Sequence, residues 1–228
     1  MNSTAATTPR QASRAGRAKT VFWILLGVVA LGVVIGVLVS RSANTTAAPD
    51  DAGQLVRENG RMLSKAPDEK ALLVEFLDYE CEACAAAYPF IEDLRTEYAD
   101  TLTVVHRYFP LPGHPNSMTA AIAVEAAAQQ GAYEPMYQQM FQTQTQWSHN
   151  QQDQSAVFRG YAEQLGLDMA AYDAAVDDPA TRQRIELDVA DGTALGVVGT
   201  PTFYLDGKPL QPDSLDEFTA AVDAATQD

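Results

Sequence analysis

The two cysteines of the chain, Cys81 and Cys84, form one C-x-x-C directly after the apolar run Leu72-Leu73-Val74-Glu75-Phe76-Leu77. The run reads as a strand, and the pattern from Glu82 onward is helical, so the pair stands at a strand-to-helix junction. A thiol pair so placed opens and closes a disulfide reversibly, which points to thiol–disulfide exchange.

Other uses of the pair compete poorly. A c-type haem needs His directly after the second cysteine, where Ala85 stands. A structural zinc site needs further ligands at similar spacing, but His106, His114 and His149 are scattered, with no cysteine beside them. A purely structural disulfide over so short a loop would stabilise little.

Val21 to Ser40 is a run of twenty residues without a charge. At about 1.5 Å per residue it matches the hydrocarbon core of a bilayer, roughly 30 Å, and reads as a transmembrane helix. Arg10, Arg14, Arg17 and Lys19 precede it, and residues 1–20 hold no acid. The positive-inside rule therefore leaves this tail in the cytoplasm and sends the remainder across the cell membrane. Thr46-Ala47-Ala48 would suit a cleavable signal peptide, but the apolar run exceeds the usual core of about 7 to 15 residues, so an uncleaved anchor is expected. Residues 41–53 read as a small, polar tether, and residues 54–228 as the exported domain.

Charge divides at the same boundary. All 30 acidic residues follow residue 49 and only ten Lys or Arg follow residue 41, leaving residues 42–228 at a formal −20. Such a domain repels nucleic acid and anionic lipid, which argues against a phosphate-binding role.

Within the exported domain, Leu55–Glu58 and Arg61–Ser64 around Asn59-Gly60 suggest a short hairpin. Ala71–Leu77 and Thr101–Phe109 read as core strands joined by a helix from Glu82, in which Pro89 should introduce a kink. Helical patterns follow at 116–130, 133–144, 154–165, 169–176 and 179–195. They form an inserted subdomain of about residues 115–195, whose Met and aromatic stripes read as packing faces. Thr202–Leu205, an Asp206-Gly207 turn and Lys208–Leu210 make a second hairpin. Ser214 caps a last helix, with Glu217 at the capping-box position.

This order of elements resembles the thioredoxin fold, and within it the DsbA-like branch of exported disulfide oxidoreductases. The resemblance rests on Val74-Glu75-Phe76-Leu77-Asp78-Tyr79-x-Cys81-x-x-Cys84, on Pro89, on His106-Arg107-Tyr108-Phe109-Pro110-Leu111 with His114-Pro115, and on Val198-Gly199-Thr200-Pro201-Thr202-Phe203. It implies an α/β thioredoxin fold with an inserted helical subdomain, here preceded by one N-terminal transmembrane helix. It implies no cofactor and no metal. The expected partners are exported client proteins with cysteines and a membrane redox partner that resets the dithiol.

The chemistry assigns the roles. Cys81, at the helix N-terminus, would be the exposed nucleophile, and Cys84, one turn inside, the buried resolving thiol. Glu75 falls where the family has a buried acid and would exchange a proton with Cys84. The resemblance also implies a cis bond at Pro201, with the Thr200 backbone facing the cysteines to pair with a client strand. Asp78 and Tyr79 would shape the loop, and Glu82 and Ala83 would border the client.

The strong oxidase of the branch carries Pro-His between its cysteines, whereas this chain has Glu82-Ala83 preceded by Glu80. Two carboxylates beside Cys81 oppose the helix dipole and should raise its thiol by up to about one pKa unit, giving a milder oxidant. A membrane-tethered reductase or isomerase is the alternative direction. A thiolate metal- or client-binding module without turnover is the alternative class, which a metal titration of the reduced domain would separate.

Overall fold

The computed structural model describes residues 53–227. The basic tail, the transmembrane helix expected at 21–40 and nearly all of the tether lie outside these residues. Among the described residues no helix is long and apolar enough to cross a membrane.

Two parallel strands form the middle of the sheet, β2 (Ala71–Leu77) and β3 (Leu102–Tyr108), joined by helix α1 (Glu82–Glu97). β1 (Arg61–Ser64) adds antiparallel to β3, β4 (Thr202–Leu205) antiparallel to β2, and β5 (Lys208–Leu210) antiparallel to β4. The strand order is β1-β3-β2-β4-β5.

Alternation along β2 and β3 divides the core in two. Leu73 and Leu77 of β2, with Val104 and Tyr108 of β3, face the larger core, which the helices fill. Val74 and Phe76, with Val105, face a smaller core with Phe109, Val197 and Tyr204. The same alternation places Glu75 and His106 on the first face and Arg107 on the second. All three are polar, and all are at most 3% exposed.

The inserted subdomain comprises α2 (Ser117–Ala128), α3 (Tyr133–Gln142), α4 (Gln144–Trp147), α5 (Ser155–Gln164), α6 (Met169–Asp177) and α7 (Pro179–Ala194). The Ala-rich α2 is its hub. Small side chains on several faces let α3, α5, α6 and α7 all pack against it. The expected stripe on α3 is a packing face, with Met136, Tyr137, Met140 and Phe141 buried. The stretch expected as one helix over 133–144 ends at Gln142, and Gln144 starts the separate short α4. The last helix, α8 (Leu215–Thr226), begins as expected: Ser214 Oγ accepts from the Glu217 amide at 3.2 Å. The Glu217 carboxylate returns to the amide of Asp213 rather than to that of Ser214.

The first hairpin does not form. Only its second arm, β1, joins the sheet, because the backbone of the first arm is engaged elsewhere. Arg107 donates to the carbonyls of Gln54 and Leu55 at 2.7 and 2.6 Å, and Gln54 N donates to Asp191 on α7. Arg107 is itself paired with Asp188 at 2.7 Å and Asp191 at 2.5 Å, so one buried guanidinium ties the start of the domain to β3 and α7.

Candidate active site

The site is built on the turn that ends β2. The Asp78 carboxylate is buried and receives the amides of Glu80 (2.8 Å) and Leu111 (3.0 Å) and Nδ1 of His114 (2.6 Å). The Asp78 carbonyl accepts from Cys81 N, and Gln144 Nε2 bonds the carbonyls of Tyr79 and Cys81, both at 2.8 Å. Asp78 and Tyr79 thus shape the loop, as expected. The turn delivers Cys81 to the N-cap of α1, in extended conformation, with its thiol at the helix N-terminus.

Cys81 and Cys84 are both free thiols. Cys81 is only 7% exposed and Cys84 1%, so the expectation of an openly exposed nucleophile is corrected. The loop before β4 covers it: Cys81 Sγ donates to the Thr200 carbonyl at 3.3 Å, and Val198 in that loop is 96% exposed. The Thr200–Pro201 bond is cis.

The two sulfurs differ in acidity. The Cys81 thiol is lowered to about 5, first because the Cys84 thiol donates to it. The Thr200 side chain and the amides of Cys84 and Ala83 add to this, against the opposing effect of burial. The Thr200 hydroxyl is otherwise without a partner among the described residues. Burial pushes Cys84 well above its ordinary value, reinforced by its bond to Cys81 and by the Glu75 charge.

This corrects the expected influence of the flanking carboxylates. Glu80 is buried, and its carboxylate accepts the amides of Asn116 (2.6 Å) and His149 (2.7 Å). Glu82 faces solvent and pairs with Nε2 of His149 at 2.6 Å. Both charges are compensated by groups from distant parts of the chain, and the bonds from Cys84, Thr200 and the Cys84 and Ala83 amides make Cys81 more acidic rather than less. Ala83 is exposed beside Glu82, and its backbone amide serves the Cys81 sulfur.

Beneath the cysteines, Glu75 is buried as expected. Its partner was not foreseen. His106 Nε2 lies 3.3 Å from the Glu75 carboxylate, off the line of a hydrogen bond, while His106 Nδ1 bonds the Tyr133 hydroxyl at 2.8 Å. Tyr133 in turn lies 3.3 Å from the Tyr79 hydroxyl. Only the strand alternation shared by Glu75 and His106 signals this network in the sequence. Beside Pro201, a cleft of about 510 Å³ is lined by residues that include Thr202, Phe203, Leu210, Pro212 and Phe218. Among the described residues no group of three or more His, Cys, Asp or Glu is arranged to hold a metal ion.

Comparison with known proteins agrees with this architecture. Among solved structures, a thioredoxin-like oxidoreductase from Silicibacter pomeroyi DSS-3 superposes with a TM-score of 0.65 at 26% identity, covering 80% of this chain and 99% of that one. BdbD from Bacillus subtilis, in its oxidised form, gives 0.65 at 18% identity over 78% and 98%. Alpha-DsbA1 from Wolbachia pipientis gives 0.62 at 21% over 76% and 94%. Among curated proteins, the Na(+)/H(+) antiporter NhaA of Herminiimonas arsenicoxydans is 40% identical over 144 residues, which are 63% of this chain and 22% of that protein. NhaA 1 of Mycobacterium sp. (strain KMS) is 37% identical over 147 residues, 62% of this chain and 23% of that protein. The match thus spans less than a quarter of the length of these relatives. The family model described as thioredoxin matches residues 62–224, and the chain belongs to the thioredoxin family.

Proposed function

We propose that the chain is a membrane-anchored thiol–disulfide oxidoreductase that forms disulfides in extracytoplasmic client proteins. In its disulfide form, a client thiolate attacks Cys81 Sγ, and the Cys81–Cys84 bond breaks to leave the sulfur of Cys84, which takes a proton from Glu75. A second client thiolate attacks the client sulfur of the mixed disulfide, the client disulfide closes, and Cys81 departs as thiolate. Two electrons pass from client to enzyme, and a membrane redox partner withdraws them.

One observation carries the direction: the lowered pKa of Cys81 against the raised one of Cys84. A stabilised Cys81 thiolate is a good leaving group and favours the reduced form of the enzyme, which makes its disulfide an oxidant. A value of about 5 falls between those of thioredoxin, about 7, and DsbA, about 3.5, and so supports a milder oxidant. Glu75 is the proton donor and acceptor for Cys84. Thr200 offers its backbone to the client chain, with Pro201 and the cleft beside it receiving the client's flanking residues and Glu82 and Ala83 bordering them.

The uncharged run 21–40 and the basic tail before it support a cell-membrane location, with the catalytic domain outside. Curated relatives named as antiporters, proteins that work in a membrane, support the same setting. The test is to mix the disulfide form with a reduced, unfolded protein of several cysteines. Stoichiometric client oxidation that disappears in Cys81→Ser supports the proposal; reduction of disulfide clients with no oxidation of reduced ones contradicts it.

A further inference from the structure

The two residues between the cysteines bring one negative charge and no positive one, yet one imidazole, His149, reaches Glu82 from elsewhere, and a second, His114, stands against it. His114, on the loop after β3, is aimed by the buried carboxylate of Asp78, whose backbone carbonyl holds Cys81 N. His149 has a positive φ of 57° and is fixed through its own amide by Glu80, which places its ring on Glu82. The two rings stand perpendicular with centroids 5.8 Å apart. Asn116 secures the arrangement by bonding Asn150 O and Gln154 N on the loop that carries His149.

We propose that His114 is a positioning residue for the exchange reaction: it supplies to the Cys81 thiolate the cation that the Glu82-Ala83 dipeptide lacks, while His149 masks Glu82. The inference rests on the reading of Cys81 as the exchanging sulfur. The charged and titratable groups around His114 are Asp78 and Glu80 from the turn, Cys81 and Glu82 at the start of α1, His149 opposite, and Glu186 of α7 across the adjoining cleft. Burial draws His114 down, but its bond to Asp78 and the charges of Asp78, Cys81 and Glu80 outweigh this and raise it above its ordinary value. The cation is present below that raised value and is lost as pH rises through it. Because the coupling is reciprocal, a thiolate at Cys81 must in turn hold the proton on His114.

The test uses the reduced full-length protein, with the pH-dependence of Cys81 alkylation measured for wild type, His114→Gln and Thr200→Val. Gln retains a donor for Asp78 and removes the charge. His114→Gln should move the midpoint upward by about half to one pH unit, a loss of thiolate of about 3- to 10-fold at low pH. An unmoved midpoint, where Thr200→Val moves it, overturns the proposal. NMR of the unmutated protein supplies a second arm: the His114 ring should titrate at higher pH in the dithiol than in the disulfide form, and equal values overturn the proposal even if the variant misfolds. Neither arm depends on client turnover. Failure of client oxidation would strike the functional reading, and failure here would strike only His114.

Discussion

The carboxylate of Glu75 and Nε2 of His106 lie 3.3 Å apart inside the larger core, on directly paired residues of the parallel strands β2 and β3. Two ionisable groups in a strand pair covered on both faces are costly to bury, and each requires a partner. The proposed mechanism gives that cost a use: Glu75, whose charge raises the buried Cys84 thiol, would be its proton donor and acceptor.

Glu75→Gln keeps the size and polarity of the side chain and removes the proton acceptor. General acid–base assistance contributes about 100-fold or more. Resolution of the mixed disulfide by Cys84, followed by stopped-flow with a Cys81-linked test peptide, should slow by about that factor with the fold intact. An unchanged rate would remove Glu75 from the mechanism.

The cysteines should behave asymmetrically. Cys84→Ser is expected to accumulate mixed disulfides between Cys81 and clients, visible on non-reducing gels, while Cys81→Ser should form none. In the wild type, Cys81 alkylation should follow a titration with a midpoint near pH 5, since the lowered thiol is ionised above that value and protonated below it. Equal trapping by both single variants would reverse the assignment.

Much of this was legible in the sequence, because the C-x-x-C, the apolar run of Ala71–Leu77 and the Val198–Phe203 segment are local patterns. What escaped depends on contacts between residues far apart in the chain. The Asn59-Gly60 turn signal is real, and Gly60 N does bond Arg57 O at 2.8 Å. A hairpin nevertheless fails to follow, because Arg107, fifty residues onward, takes the carbonyls of Gln54 and Leu55. The acidity of Cys81 is hidden for the same reason: Glu80 and Glu82 flank it in the sequence, but the amides of Asn116 and His149 and the His149 ring that compensate them are distant, and so is Thr200, which with Cys84 lowers the thiol.

Arg107 should be the most costly surface-remote charge to remove. Its guanidinium has no exposed area and makes four hydrogen bonds, to Asp188, Asp191 and two carbonyls. Arg107→Ala leaves two carboxylates without their central cation, so chemical denaturation should show a loss of about 3 to 5 kcal/mol. A loss below about 1 kcal/mol would show that Arg57 and Arg184, which also pair with these aspartates, suffice.

The proposed topology predicts that a protease added to intact cells or spheroplasts reaches the domain from residue 54 onward, and that the full chain fractionates with membranes through residues 21–40. A soluble mature form beginning near Pro49 would instead mean that the segment is a cleaved signal.

The most direct test of the account is the equilibrium reduction potential of the Cys81–Cys84 pair against glutathione. A Cys81 thiol near 5 places it between the values of thioredoxin, about −270 mV, and DsbA, about −120 mV. A potential inside that interval is the predicted result. A potential at or below the thioredoxin value would contradict the oxidase reading and make the protein a reductase.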